Sequence, residues 1–224
     1  ILKIKSLSKS LNDFYLGPLD LNIKRGSIVG YIGENGAGKS TTIKLILGDM
    51  KKDSGEIYIF GKKIEDLTED EKKKIAFVFE DFFFPQEMNI MEVEKFHSMY
   101  YGDYWEKEKF NKLIKRFNLP EKKKISTFSR GMKMKLSLIL ALSHKAELLI
   151  LDEATSGLDP VARDDILDIL LEFIQDENKS IMISSHILSD LEKIADEIAF
   201  IHRGKLIFVE SKDVLEEEYG IVSL

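Results

Sequence analysis

Cysteine is absent from the 224 residues, which excludes disulfides and thiolate metal sites and permits a reducing compartment. Long apolar runs are also missing. Runs such as residues 138–142 and 148–151 fall far short of the roughly 18 residues of a membrane-spanning helix, so the chain is not expected to cross a bilayer by itself. Nor is there an excess of positive charge: 33 Lys and Arg against 39 Asp and Glu leave a net charge of −6. That balance argues against a protein that coats nucleic acid, because neutralising phosphates takes concentrated Lys and Arg. The short basic runs at 72–74 and 122–124 have acidic neighbours and read as solvated faces. Only four prolines are present, with no low-complexity linker and no internal repeat. Nothing resembling a signal peptide precedes Lys3 and Lys5, and an opening at Ile1 is compatible with a few preceding native residues.

What is present is a chain that is 44% hydrophobic, enough for one sizeable domain with a full core. Strand-like stretches at 1–5, 27–32, 56–60, 75–79, 148–151, 180–184, 197–202 and 205–210 alternate with helical patterns. Such alternation predicts an α/β fold with a largely parallel central sheet. Ala162, Ile166, Ile169, Leu170, Phe173 and Ile174 recur at helical spacing after Asp159-Pro160, where proline suits a first turn. Between Asp81 and Thr127 the character becomes aromatic and helical, with Pro85 and Pro120 near its ends. The expected organisation is an α/β core in two parts, 1–80 and 131–224, around a helical subdomain at 81–130. The aromatics of that subdomain suit a small local core, and some of them suit a groove that receives another protein.

The stretch Gly33-Glu34-Asn35-Gly36-Ala37-Gly38-Lys39-Ser40-Thr41 matches G-x-x-x-x-G-K-[ST] between a strand and a helix, the context its mechanism requires. Gly36, Ala37 and Gly38 let successive N–H groups curl around one cavity at a helix N-terminus. Lys39 is placed to reach β- and γ-phosphates, Ser40 to ligate magnesium and Thr41 to touch an α-phosphate. The loop holds a nucleoside triphosphate.

The run 147–153 is a buried-strand pattern ending in Asp152 and Glu153. At the carboxyl end of a parallel strand beside the phosphate loop, Asp152 is placed to hold magnesium through water. Glu153 is then the candidate general base for an attacking water. No acceptor pocket is evident, so hydrolysis is favoured over phosphotransfer.

Phe128-Ser129-Arg130-Gly131-Met132 precedes a further helical stretch, Ser156-Gly157-Leu158-Asp159 follows the acidic pair, and Ser184-Ser185-His186 closes a later strand. Together with Gly33 to Ser40, this order resembles the ATP-binding subunit of ABC transporters over essentially the whole chain. The resemblance implies a P-loop ATPase whose signature loop is Ser129, Arg130, Gly131 and Met132, whose D-loop is Ser156, Gly157, Leu158 and Asp159, and whose switch histidine is His186. It also implies a head-to-tail dimer with each ATP between one phosphate loop and the partner's signature loop. A helix N-terminus at Ser129 suits a γ-phosphate, since its N–H groups and dipole attract anions.

The sequence departs from the family pattern in places. Arg130 and Met132 replace the first glycine and the glutamine of Leu-Ser-Gly-Gly-Gln, and Glu80 stands where the family usually has glutamine. Glu80 can accept at magnesium but cannot donate. Ala154 replaces a common proline. The adenine-stacking aromatic aligns with Leu11, leaving Phe14 or Tyr15 as substitutes. "FSRGMKMKL" and "LSHKAELLILDEATSGLDP" look most like bacterial exporter ATPases for drugs, antimicrobial peptides and phenol-soluble modulins.

The expected function is an ATP- and Mg2+-dependent motor at the cytoplasmic face of the membrane, paired with a second ATPase subunit and driving separate permease subunits, with Glu80 linking nucleotide to membrane partner. Two other classes remain: a non-transport ABC ATPase acting on nucleic acid or ribosomes, and a regulatory module that holds ATP without turnover. Neither long coiled-coil insertions nor basic arms support the first. Intact Lys39, Asp152, Glu153 and His186 weigh against the second.

Overall fold

The computed structural model describes residues 1–79 and 84–218. The chain opens with strands β1 (Leu2–Leu11), β2 (Phe14–Ile23) and β3 (Ile28–Ile32), then helix α1 (Lys39–Ile46), strands β4 (Ser54–Ile59) and β5 (Lys62–Lys63), helix α2 (Glu69–Lys72) and strand β6 (Ile75–Val78). A helical stretch follows, with α3 (Ile90–Tyr101), α4 (Lys107–Arg116) and α5 (Arg130–Leu142). Then come β7 (Leu148–Asp152), α6 (Pro160–Phe173), β8 (Ser180–Ser185), α7 (Leu188–Ile194), β9 (Glu197–His202), β10 (Lys205–Ser211) and α8 (Lys212–Glu218). The described residues form two sheets, ordered β2-β1-β4-β5 and β10-β9-β3-β8-β7-β6. In the larger sheet all neighbours pair in parallel except the β9–β10 edge hairpin. The smaller sheet is antiparallel throughout.

Strand β7 shows why the larger sheet sits in the middle. Leu149 and Leu151 enter one apolar cluster with α5 and α6, whereas Leu148 and Ile150 enter another with α1 and the smaller sheet. Burial on both faces is what a continuous apolar run in a parallel strand requires. Register then sets the rim where chemistry is possible: Ile32 pairs with Ser185, and Asp152 with Ser184. The segments leaving β3, β7 and β8 therefore emerge side by side at the carboxyl ends of the strands, the place where open α/β sheets bind ligands.

Two expectations need correcting. The first strand runs to Leu11 instead of stopping at Lys5, and β2 is not among the strands read from sequence. Its alternation is regular, with Leu19, Leu21 and Ile23 inward and Asp20 and Asn22 outward. Gly17-Pro18 inside it reads as a turn, whereas the reversal lies at Asn12-Asp13, with Asn12 at φ 33°, a conformation asparagine tolerates. The second correction concerns the helical stretch. Phe110 and Phe117 do not close a separate small core; they share one cluster with Val78 and Leu149 of the sheet. Phe82 and Phe83 lie outside the described residues.

Helix α3 starts with a reciprocal cap between Asn89 and Glu92. It leaves Met91, Phe96, Met99 and Tyr100 exposed. The basic runs are solvated and paired as expected, Lys72 with Glu69, Lys74 with Glu147 and Lys124 with Glu87. No helix among the described residues is long and apolar enough to cross a membrane.

Candidate active site

The phosphate loop connects β3 to α1, and each of its glycines is there for a different reason. A Cβ on Gly33 would lie 2.4 Å from the Ile201 carbonyl oxygen, and one on Gly38 would lie 2.6 Å from Leu16 Cδ1. Gly38 also holds φ 114°, a left-handed conformation that disfavours any side chain. Gly36 sits at φ 81° with nothing within 4 Å of its missing Cβ, so the loop bows outward there and presents its backbone. Phe14 Cζ would come within 3.1 Å of a Gly38 Cβ. The ring thus packs beside the phosphate loop, half-buried against the second cluster.

Lys39, the first residue of α1, is almost fully buried. Its Nζ donates to the carbonyls of Gly33 at 2.7 Å and Glu34 at 3.3 Å, so the loop curls around its own ammonium. Ser40 is exposed and Thr41 half-exposed on the same first turn. Thr42 is buried, its hydroxyl donating back to Gly38 and meeting the Tyr31 hydroxyl at 3.1 Å. Those bonds fix the helix start against the sheet.

From β7, Asp152 and Glu153 arrive beside this ammonium, both buried. Glu153 Oε1 is 3.2 Å from Lys39 Nζ, at an angle that makes no hydrogen bond. The contact is one of charge alone. Glu153 Oε2 lies 2.6 Å from His186 Nδ1. Glu153 itself holds φ 51°, costly for a residue with a long side chain and most common where a site over-determines the backbone. Its N–H bonds Ser184, with Oγ at 3.1 Å and the carbonyl at 3.2 Å. Ser184 Oγ in turn donates to Asp152 Oδ1 at 2.6 Å.

Ser184 is the site residue that sequence reasoning passed over. The triplet 184–186 was legible, but only its histidine carries an obvious chemistry. The sheet register that sets Ser184 against Asp152 has no local sequence signal.

A second cluster forms around the start of α5. Ser129 caps the helix, accepting from the Met132 N–H at 3.2 Å, a standard serine role. Gly157 holds φ 69°, and its missing Cβ would lie 3.3 Å from Arg130 Nη1. The missing Cβ of Gly131 would lie 3.5 Å from Leu158 Cδ2. Ser129 to Met132 and Ser156 to Asp159 therefore pack on each other within the chain. Asp159 also caps α6 by accepting from the Ala162 N–H at 3.0 Å, and Pro160 occupies the first helical position. Glu80, expected to face magnesium, lies outside the described residues.

Whether ATP and magnesium suit the site can be judged from the donors present. Among the described residues no cluster of three His, Cys, Asp or Glu is able to hold a metal alone. Asp152 with the Ser40 hydroxyl matches a Mg2+ bound through one carboxylate and completed by phosphate oxygens. The outward-bowed backbone at Gly36 and the Lys39 ammonium match phosphate. The residues fit both groups.

Comparison with known proteins agrees. The family profile described as "ABC transporter" matches residues 16–156. The bacitracin transport ATP-binding protein BcrA of Bacillus licheniformis is 37% identical over 84% of this chain, the match spanning only 62% of that protein's length. The lantibiotic transport ATP-binding protein SrtF of Streptococcus pyogenes is 35% identical, over 98% of this chain and 91% of that protein. Among solved structures, an ATP-binding subunit of an ABC transporter superposes with a TM-score of 0.88 at 30% identity, covering 98% of this chain and 93% of that one. An ATP-binding cassette solved as a dimer in a post-hydrolysis state with ADP and Pi superposes with a TM-score of 0.82 at 26% identity, covering 94% and 98%. On fold, motif order and matched length together, this chain belongs to the ABC transporter family, with its likeness to that family's ATP-binding subunits.

Proposed function

We propose that the chain is the ATP-hydrolysing motor of an exporter, working at the cytoplasmic face of the membrane as one of two head-to-tail ATPase subunits that drive separate permease subunits. The observation that carries this reading is the chain of contacts Lys39–Glu153–His186 at the mouth of the phosphate loop. In the proposed reaction Gly33, Asn35 to Thr41 and Lys39 bind the triphosphate, while Ser40 and Asp152 hold Mg2+. Bound magnesium supplies charge neutralisation at the phosphates. Glu153 takes the proton of the attacking water, and His186 holds Glu153 in place and completes the polar ring around the γ-phosphate. Phe14, beside the loop, is the aromatic we assign to the base.

Relatives named for bacitracin and lantibiotic transport support export as the direction. The membrane subunit is assigned to an open groove of about 900 Å3 between the end of α1, β6 and α3, lined by Leu47, Phe77, Phe96 and Tyr100. The last three are half or more exposed, an apolar patch of the kind that marks a protein contact. In the dimer, Ser129 to Met132 serve the partner's nucleotide, and Ser156 to Asp159, packed on them, carry its arrival inward.

The test is to tag the chain, solubilise membranes in mild detergent and identify what co-purifies by mass spectrometry. A stoichiometric multi-span membrane protein supports the motor reading. A ribosomal or nucleic-acid partner without any membrane protein overturns it in favour of a non-transport ATPase.

A further inference from the structure

The half-buried Arg163 and the buried Asp190 form a pair that no step above uses. Arg163 lies in the first turn of α6, directly after the loop 156–159, and its Nη2 donates to the Leu158 carbonyl of that loop at 3.5 Å. Its Nη1 is 3.8 Å from Asp190 Oδ1. Asp190 sits in α7 four residues after His186 and is 1% exposed. One guanidinium therefore touches the loop that packs on the α5 N-terminus and also the helix that follows the histidine.

The pair is only partly made. Arg163 Nε and Asp190 Oδ2 are both buried with no hydrogen-bond partner among the described residues. A buried carboxylate with one free oxygen is costly, and such unsatisfied atoms in a folded protein call for a reason. Other links between the two helices do not explain it. Lys193 and Asp164 already join α7 to α6 at 2.7 Å on the surface, so the helices need no buried ion pair to stay together. The segment 185–187 is held by its own turn, Ile187 N–H on Ser185 Oγ at 2.9 Å, so His186 moves with the start of α7.

We propose that Arg163 and Asp190 are positioning residues that tie the loop 156–159 to the segment carrying His186. A shift of either loop closes the guanidinium onto both carboxylate oxygens and is passed to the other. This proposal rests on the hydrolytic reading above. It adds a route by which a change at the 156–159 loop reaches the His186–Glu153 contact.

The test uses the full chain with R163K, D190N and the double variant. R163K keeps the charge and loses the planar fork; D190N keeps the shape and loses the charge. Two quantities are read: steady-state ATP hydrolysis, and amide exchange at 156–159 and 184–188 followed by mass spectrometry in the protein alone. The tie predicts that kcat falls roughly tenfold in each single variant with KM within about twofold, and that the double variant loses no more than the worse single one. It also predicts crossed exchange: D190N loosens 156–159 and R163K loosens 184–188. Multiplicative kcat losses, or exchange changes confined to the element that carries the substitution, overturn it. If the unaltered chain lacks ATPase activity, the hydrolytic reading fails while exchange still decides the tie. Should D190N fail to fold, D190E keeps the charge, moves the carboxylate by one methylene and supports the same comparison.

Discussion

His186 Nδ1 lies 2.6 Å from one oxygen of Glu153, and Lys39 Nζ lies 3.2 Å from the other. The two contacts differ in kind: the first is a hydrogen bond that orients the carboxylate, the second a charge contact without hydrogen-bond geometry. In the proposed reaction the hydrogen-bonded oxygen holds the carboxylate in place, and the oxygen without a hydrogen-bond partner is the one assigned to take the proton.

Glu153→Gln keeps the size of the side chain and removes its basicity. Phosphate release should fall by about 100- to 10,000-fold, the usual contribution of a positioned base, while nucleotide affinity stays within a few-fold because the phosphate loop is untouched. Steady-state turnover and a fluorescent-nucleotide titration check the two halves separately. Turnover within several-fold of the unaltered chain would remove Glu153 from the mechanism.

Ser184 joins both acidic residues, donating to Asp152 and accepting from the Glu153 N–H. Ser184→Ala leaves a buried carboxylate without that donor and should cost about 1–3 kcal/mol of stability. It should also lower kcat, because Glu153 loses one anchor of its left-handed backbone. Urea unfolding and turnover measured on the same preparation decide this. Full stability with normal kcat would show that water takes the place of the hydroxyl.

The site was legible in sequence wherever chemistry is written in adjacent residues. Gly33 to Thr41 and Asp152-Glu153 are contiguous, and each sits at the end of an apolar run that marks a buried strand. What connects distant segments was not legible. Ser184 reaches Asp152 through strand register, and Arg163 reaches Asp190 through the packing of two helices. Strand β2 was hidden for a local reason: Gly17-Pro18 imitates a turn, while its alternation only becomes informative once β1 is known to pair with it. The helical stretch was legible as helical, but not its sharing of one core with the sheet, because apolar periodicity does not name the surface it faces.

The two phosphate-loop glycines with positive φ should respond unequally to alanine. Gly36→Ala carries only the backbone cost of a left-handed residue, about 1–2 kcal/mol, since its Cβ would meet nothing. Gly38→Ala adds a Cβ placed 2.6 Å from Leu16 and 3.1 Å from the Phe14 ring. It should unfold at clearly lower urea than Gly36→Ala and lose nucleotide binding. Equal midpoints for the two variants would mean that Leu16 and Phe14 yield freely, which their place against the second cluster argues against.

Acid sensitivity should come from a pair of histidines far from the phosphate loop. His144 is 1% exposed and stacks on Tyr101 at 3.9 Å, and His97 stacks on the same ring at 6.1 Å. Burial pushes both imidazoles down to about 4; for His144 the Leu140 carbonyl opposes the shift and the charge of His97 adds to it. The folded chain therefore binds fewer protons than the unfolded chain between about pH 6.5 and about pH 4. Stability is unaffected by these groups above that window and falls as pH drops through it. The difference between 6.5 and about 4 sets a ceiling of roughly 3 kcal/mol for His144. Carboxylates titrate in the same range, so the informative quantity is the difference between the unaltered chain and His144→Gln. Urea midpoints from pH 7 to pH 4 should converge for the two proteins as pH falls, because the variant has no buried imidazole to charge. Parallel curves would mean that His144 binds its proton equally in the folded and unfolded chains, so that burial does not hold its imidazole neutral.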